Sequence, residues 1–487
     1  VSELSIIAAA AIGDGEATLA NISTRALVQT GDNVMIAGLI VQGAQPKKVI
    51  IRALGPELSQ YGIPNVLANP TLELYNGAGT LIASNNNWVT TIIGGIITAN
   101  QVTEIRASGH APTNAFESAI IAELPAGNYT AIVRGVNNTT GVGLVEVYDL
   151  SPAANSLLAN ISTRGLVQTG DDVMIGGFNI TGTRPKGIYL RAIGPDLSKY
   201  GIPNSLADPA IELYDSTGAL IASNDSWRQT AIGGIIADDQ VRHILNTGLP
   251  PGDRNDAALI ATLEPGSYTA IVRDVNNTAG VALLEGSIAS PIFTWTGAAD
   301  FHWETAANWM PNGVPETGDI ATIPAGTRNA PTISSRHIKD VQLTLGTPAG
   351  GSVSLDADSV EFSNVNLAVT GGNPGSSPVI ATLSCHGSVS TDGDITVEAL
   401  GGSLTIDAGG GTFTLSDSNA KTGTESVGDV GSIDASRKPA KPEVKLLVTQ
   451  ESSLFFKGGN IVTERVTTDK KTFIPVIEIE GVADVAE

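Results

Sequence analysis

Apolar residues along this chain recur in short runs of period two, not at helical spacing. Leu72-Glu73-Leu74-Tyr75 and Val145-Glu146-Val147-Tyr148 alternate apolar and polar side chains, as a strand with one buried face does. Runs of the same kind cover 34–41, 48–54, 71–75, 81–84, 116–124, 129–134 and 143–150, each bounded by Gly, Pro and Asn clusters that turn the chain. Only 94–106 has the makeup of a short helix. The pattern predicts an all-β protein built on jelly-roll-like β-sandwiches.

The pattern then repeats. Leu19-Ala20-Asn21-Ile22-Ser23-Thr24-Arg25 recurs 139 positions later as Leu158-Ala159-Asn160-Ile161-Ser162-Thr163-Arg164. The same offset carries Arg52-Ala53-Leu54-Gly55-Pro56 onto Arg191-Ala192-Ile193-Gly194-Pro195 and Trp88 onto Trp227, with no gap between. A period this long denotes duplicated domains, not a solenoid of 20–50-residue units, and predicts repeats at 13–151 and 152–290. The arm 1–12 falls outside the repeat. Leu4, Ile6, Ala8, Ala10 and Ile12 alternate along one face of it, whereas a polar connector, Pro152-Ala153-Ala154-Asn155-Ser156, precedes the second repeat. An apolar extended segment left uncovered is an aggregation hazard. It either pairs with its own chain or completes a sheet in a neighbouring subunit as a donor strand. Those five residues are the candidate assembly interface.

The chain changes character at Pro291. Trp295-Thr296-Gly297, Trp303, Asn308-Trp309, Gly313-Val314-Pro315 and Gly318-Asp319 mark 291–333 as a connecting or capping segment, its indoles closing the end of the next domain. Alternating strands resume over 334–487, at 353–357, 365–369, 395–399, 404–408, 413–415, 446–448 and 473–479. A long Ser/Gly/Asp/Lys/Pro loop, 416–444, interrupts them. This C-terminal region is a β-sandwich or a short β-solenoid.

The segments Asn69-Pro70-Thr71-Leu72-Glu73-Leu74-Tyr75-Asn76, Gly79-Thr80-Leu81-Ile82-Ala83-Ser84-Asn85 and Leu124-Pro125-Ala126-Gly127-Asn128-Tyr129-Thr130 resemble bacterial pre-peptidase C-terminal (PPC) domains. That resemblance implies a non-catalytic β-sandwich of the kind that accompanies secreted enzymes and surface proteins. The tandem also resembles a repeat of large exported proteins of environmental bacteria, and 291–320 resembles the Trp-rich segment ahead of adhesin-like β-domains.

Charge narrows the partners. The net charge of −22 is broken by no basic run, so a phosphate backbone would be repelled and nucleic acid is not an expected partner. No apolar run approaches the ~18–20 residues that span a bilayer. The single cysteine, Cys385, rules out an intrachain disulfide. An opening on Val1 reads as a processed N-terminus with its signal peptide removed, which places the protein outside the cell or on its surface.

Candidate chemistry is sparse. None of the five histidines sits in a metalloprotease or paired-ligand spacing, and no nucleophile elbow or phosphate loop is present. No catalytic residue is assigned and the chain is not expected to be an enzyme. Cys385 and His386 are strand neighbours whose side chains point to opposite faces, which makes Cys385 a structural thiol. Asn85, Asn87 and Trp88, with Asn224, Asp225 and Trp227, form a possible glycan-binding pair of loops, amides beside an indole. Their competing reading is a turn with a tryptophan plug. Acidic loops at 171–172, 253–256, 356–358 and 392–394 offer calcium ligands without a recognised loop pattern; no metal site or cofactor is assigned. Arg52, Arg191, Arg134 and Arg273 read as partners of ion pairs within each repeat. The expected function is a structural subunit of an extracellular filament or surface layer, a homopolymer joined by the donated arm. The alternatives are an adhesin that binds polysaccharide and a non-catalytic part of a secreted enzyme.

Overall fold

A computed structural model describes residues 18–346, except 171, 238, 239 and 340, and chiefly the strands between 351 and 480. The candidate interface residues Leu4, Ile6, Ala8, Ala10 and Ile12 and the loop 417–443 lie outside the described residues. The protein is all-β, and its chain divides into two compact units, Val1–Ala289 and Ser290–Glu487.

The first unit contains both repeats. In the first repeat the strands are β1 (Thr18–Val28), β2 (Met35–Gly43), β3 (Lys47–Leu54), β4 (Pro70–Asn76), β5 (Leu81–Asn85), β6 (Ser118–Leu124), β7 (Gly127–Gly135) and β8 (Gly141–Asp149). The second repeat gives β9 (Ser156–Val167), β10 (Met174–Thr181), β11 (Lys186–Ile193), β12 (Pro209–Tyr214), β13 (Leu220–Asn224), β14 (Ala257–Leu263), β15 (Gly266–Asp274) and β16 (Gly280–Ala289). One short helix follows the fifth strand of each repeat, α1 (Val102–Ala107) and α2 (Val241–Asn246). The expected strand runs appear within a few residues of their sequence bounds, and the helix occupies only the end of 94–106. β1 and β9 are additions that the hydrophobic pattern did not announce.

Those two strands organise the unit. β1 pairs antiparallel with β8 of its own repeat along one edge and with β10 of the other repeat along its second edge. β9 does the same with β16 and β2. The antiparallel order is therefore β6-β3-β8-β1-β10-β15-β12-β13 in one half and β14-β11-β16-β9-β2-β7-β4-β5 in the other, and each half draws strands from both repeats. The halves meet where Leu27 pairs with its own counterpart, Leu166.

Burial follows the pleat. Tyr129, Ala131 and Val133 of β7 and Leu72 and Leu74 of β4 point inward, and they join Val49, Ile51, Met174, Leu190 and Leu213 in a core that runs through both repeats. β3 is apolar on both faces because Ile50 packs outward under Trp88, Ile105 of α1 and Ile121. The recurrent Gly-Pro after β3 has a steric cause: a Cβ on Gly55 or Gly194 would lie 2.0 or 2.3 Å from the carbonyl oxygen of Leu67 or Leu206.

The second unit resolves the open choice for the C-terminal region. Apart from the antiparallel pair of Ile292–Trp295 with Trp309–Met310, its described strands stack in parallel, coil on coil. Ile320–Ile323 pairs with Gln342–Leu345, which pairs with Asn366–Val369. Along the other side, Gly351–Ser363 pairs with Val379–Cys385 and Ser388–Asp392, and the series continues to Val476–Glu480. This is a parallel β-solenoid. Ile323 and Leu345, then Leu355 and Leu383, are buried residues in register on successive coils, the stacking that buries a continuous core in such folds.

Candidate functional site

Polar and apolar contacts join the two repeats along a seam. Thr24 and Thr163, equivalent residues 139 positions apart, share a buried hydrogen bond of 2.9 Å between their Oγ1 atoms. Ser23 Oγ donates to Gly177 O at 3.3 Å, and Arg164 donates to Asp32 O at 3.0 Å across the same line. Contact between equivalent residues is the signature of an interface about a two-fold axis, where one patch must fit itself. The sequence follows that demand: 19–36 and 158–175 differ only at Ala26/Gly165 and Asn33/Asp172.

Away from the seam, strands β6 and β14 end their halves, and side-chain amides close them. Gln101 accepts from Ile121 N–H at 3.1 Å and donates to Ile121 O at 2.6 Å, filling the place of a neighbouring strand. Asn85 Oδ1 accepts from Ala119 N–H at 3.3 Å. The second repeat copies the clamp with Gln240 on Ile260 and Asn224 on Ala258. Backbone groups on an outer strand are otherwise a template for uncontrolled pairing.

This accounts for the residues singled out as glycan ligands. Asn85 and Asn224 are buried and spend their amides on the clamp and on Thr90 O and Gln229 O. Trp88 is 7 % exposed and Trp227 2 %, and their Nε1–H groups donate to Asn114 O at 2.9 Å and Asp253 O at 2.8 Å. Asn87 and Asp225 lie in the same turns. Neither indole has an open face on which a sugar could stack, so the geometry fits the plug reading. Trp295, Trp303 and Trp309 are likewise buried, packed edge to face at 5.0 and 4.5 Å.

Titratable groups gather mainly in structural pairs. Arg52 donates through Nε and Nη2 to one oxygen, Oε2, of Glu146, the residue opposite it on β8, and also through Nη1 to His110 O at 2.9 Å. Arg191 and Glu285 repeat the arrangement. Arg134 pairs with Glu73 at 3.6 Å and Arg273 with Glu212 at 3.2 Å. Burial lowers the His110 pKa, with the Arg52 charge acting in the same direction. Glu117 and its equivalent Asp256 are fully buried carboxyls, and desolvation raises each to about 7. Glu117 accepts the N–H groups of Gly55 and Glu57, each at 2.7 Å, and Asp256 that of Gly194 at 2.8 Å. These contacts hold the Gly-Pro turns. Among the described residues, no three His, Cys, Asp or Glu side chains converge as metal ligands, and no helix is long and apolar enough to cross a membrane. Cys385 ends its strand in register with Ala357, and His386 lies outside the described residues.

No protein-family model matches the chain, and no curated protein matches it. Among solved structures it is similar to a DUF4785 family protein of Legionella pneumophila, at 9 % identity over 57 % of this chain and 78 % of that one, with a TM-score of 0.19. It is also similar to the catalytic unit of a thermostable alpha-1,3-glucanase from Streptomyces thermodiastaticus, at 12 % identity over 66 % and 68 % and a TM-score of 0.15. Likeness this slight assigns neither a family nor an activity.

Proposed function

We propose that the protein is a non-catalytic structural subunit of an extracellular filament or surface layer, in which the N-terminal arm of one copy docks on the next. One observation carries the reading: β1 and β9 are each built into the sheet of the other repeat. Strand exchange is thus the way these modules already associate. Arm 1–12, with Leu4, Ile6, Ala8, Ala10 and Ile12 on one face, extends the same mode from within the chain to between chains. Each of its large apolar residues contributes roughly 1.5–3 kcal/mol if fully buried. The amide clamps on β6 and β14 complement such a role, because a subunit held at high local concentration must pair only where intended.

Size under native conditions tests the reading. The intact 487-residue chain is expected to form long polymers by light scattering and electron microscopy, and the chain lacking 1–12 to remain a folded monomer. Ile6→Asp is expected to weaken assembly sharply, since it places an unpaired charge in the contact. Polymers that persist after the deletion, or a wild type that stays monomeric at high concentration, would overturn it.

A further inference from the structure

The two repeats match strand for strand, yet one face differs. In the first repeat the loop after β5 and the approach to β6 leave Leu81, Val89, Ile92, Ile93, Ile96 and Phe116 in solvent, with Ile93 at 65 % and Phe116 at 57 % exposure. They lie together: Ile96 N–H donates to Ile82 O of β5 at 2.8 Å, and Trp88 N–H donates to Glu117 O, beside Phe116, at 2.7 Å. At the equivalent positions the second repeat carries Leu220, Arg228, Ala231, Ile232, Ile235 and Asn255. Three of the six have become charged, polar or small, although the backbone contacts beneath, Ile235 to Ile221 and Trp227 to Asp256, are kept.

Leu220 and Ile232 stay exposed there, but a face that the fold does not require to be wholly apolar, and that keeps all six apolar side chains in only one copy, points to something bound there. The chain offers one matching asymmetry: an apolar arm precedes the first repeat, and only a polar connector precedes the second. From these we infer that the exposed face of the first repeat, from Leu81 through the 88–97 loop to Phe116, receives arm 1–12 of a second copy. The inference rests on the assembly reading above and names its acceptor. Twelve extended residues span roughly 40 Å, enough to cross the loop and the outer side of β5, which has no strand neighbour there among the described residues. Arg106, exposed and 5.7 Å from the Trp88 ring, borders the face and suits Glu3 of the arm. In the second repeat Arg228 lies across Trp227 at 4.7 Å and occupies the corresponding ground.

Two single-cysteine chains in a Cys385→Ser background test it, one carrying Ile6→Cys and the other Ile93→Cys, mixed and mildly oxidised. A disulfide between unlike chains is expected at least ten-fold more often than when Ile232→Cys replaces Ile93→Cys. Equal yields from the two positions, or none from either, would overturn the acceptor assignment. Light scattering separates this from the assembly reading. If deletion of 1–12 abolishes polymers while Ile92→Asp/Ile93→Asp leaves them intact, the arm is donated but lands elsewhere, and the inference fails alone. If deletion changes nothing, the assembly reading fails as well.

Discussion

The first and second repeats are near duplicates that have diverged unevenly, and where they diverged tells which contacts the fold imposes. Along β1 and β9 the two are almost identical, because Thr24 meets Thr163 and Leu27 meets Leu166, and a change on one side must suit the other. One layer away, substitutions compensate across strands. Ile50 on β3 faces Tyr148 on β8, and in the second repeat the aromatic has changed sides, with Tyr189 facing Ser287. In both cases a ring lies near the buried arginine, Tyr148 at 5.1 Å from Arg52 and Tyr189 at 5.7 Å from Arg191. What persists is the ion pair beneath a ring, not the residue that supplies the ring. On the outer face after β5 no compensation is visible, and there divergence reflects what each repeat meets outside itself.

The conserved element of that comparison breaks first. Glu146→Ala leaves Arg52 buried with only His110 O and Tyr148 Oη as acceptors, and an uncompensated buried charge costs about 3–5 kcal/mol. Glu285→Ala is expected to cost more. It removes the acceptor of Arg191 and also that of the buried Asn160 amide, which donates to Glu285 at 2.7 Å. Chemical denaturation of the two variants checks the order. Equal losses under about 1 kcal/mol would show that the pairs are ornaments of the fold.

The buried carboxyls Glu117 and Asp256 set the next effect. Desolvation raises both to about 7, from ordinary values of 4.5 and 3.8. A raised folded-state pKa means that the folded chain holds protons the unfolded chain has released. The stability this provides is full below about pH 4, and it is lost as pH rises to about 7. With 1.36 kcal/mol per unit of difference, the loss is on the order of 3–4 kcal/mol for each group. Melting temperature is therefore expected to be lower at pH 8 than at pH 5. Glu117→Gln together with Asp256→Asn should flatten that slope; an unchanged slope would place its cause elsewhere.

Sequence pattern exposed the all-β class, the duplication and most strands, because alternation of one buried face is written directly in β4, β7 and β8. It missed β1 and β9 for a physical reason. In β1 the buried side chains run Leu19, Asn21, Thr24, Ala26, Val28, so the parity shifts between 21 and 24 and two of the five are polar. A bulge between Leu19 and Asn21 accompanies the shift, and the polar pair belongs to the seam. The parallel coils of the second unit were equally hard to choose from sequence, since Leu355 and Leu383 signal a strand each but not that one lies on the other. The amides of Asn85 and Asn224 looked like ligands because an Asn beside a Trp suits a sugar and a sealed strand edge equally well; only the backbone they reach distinguishes the two.

A cavity at a pair of glycines sharpens the comparison at single-methyl resolution. Gly176 and Gly286 stand in the second repeat where the first has Ala37 and Val147, and they line a cavity of about 30 Å³ together with Leu19 and Ile22 of β1. The hole lies where the exchanged strand of the first repeat rests on the core of the second. At ~24 cal/mol per Å³ it costs roughly 0.7 kcal/mol. A Cβ on Gly176 would come within 2.6 Å of Leu284 Cδ2, so Leu284 already occupies part of the space that Ala37 fills in the first repeat. A Cβ on Gly286 would meet only Leu190 Cδ2, at 3.3 Å, a contact that a small side-chain adjustment relieves. Gly286→Ala is thus expected to stabilise the protein by about 0.5–1 kcal/mol, through a buried methyl and a stiffer unfolded chain. Gly176→Ala is expected to be neutral or destabilising. Denaturation midpoints of the two variants decide it. If Gly286→Ala destabilises by more than about 1 kcal/mol, the exchanged strand sits against a core with no room to spare, and the cavity is not the trace of the lost Val147 equivalent.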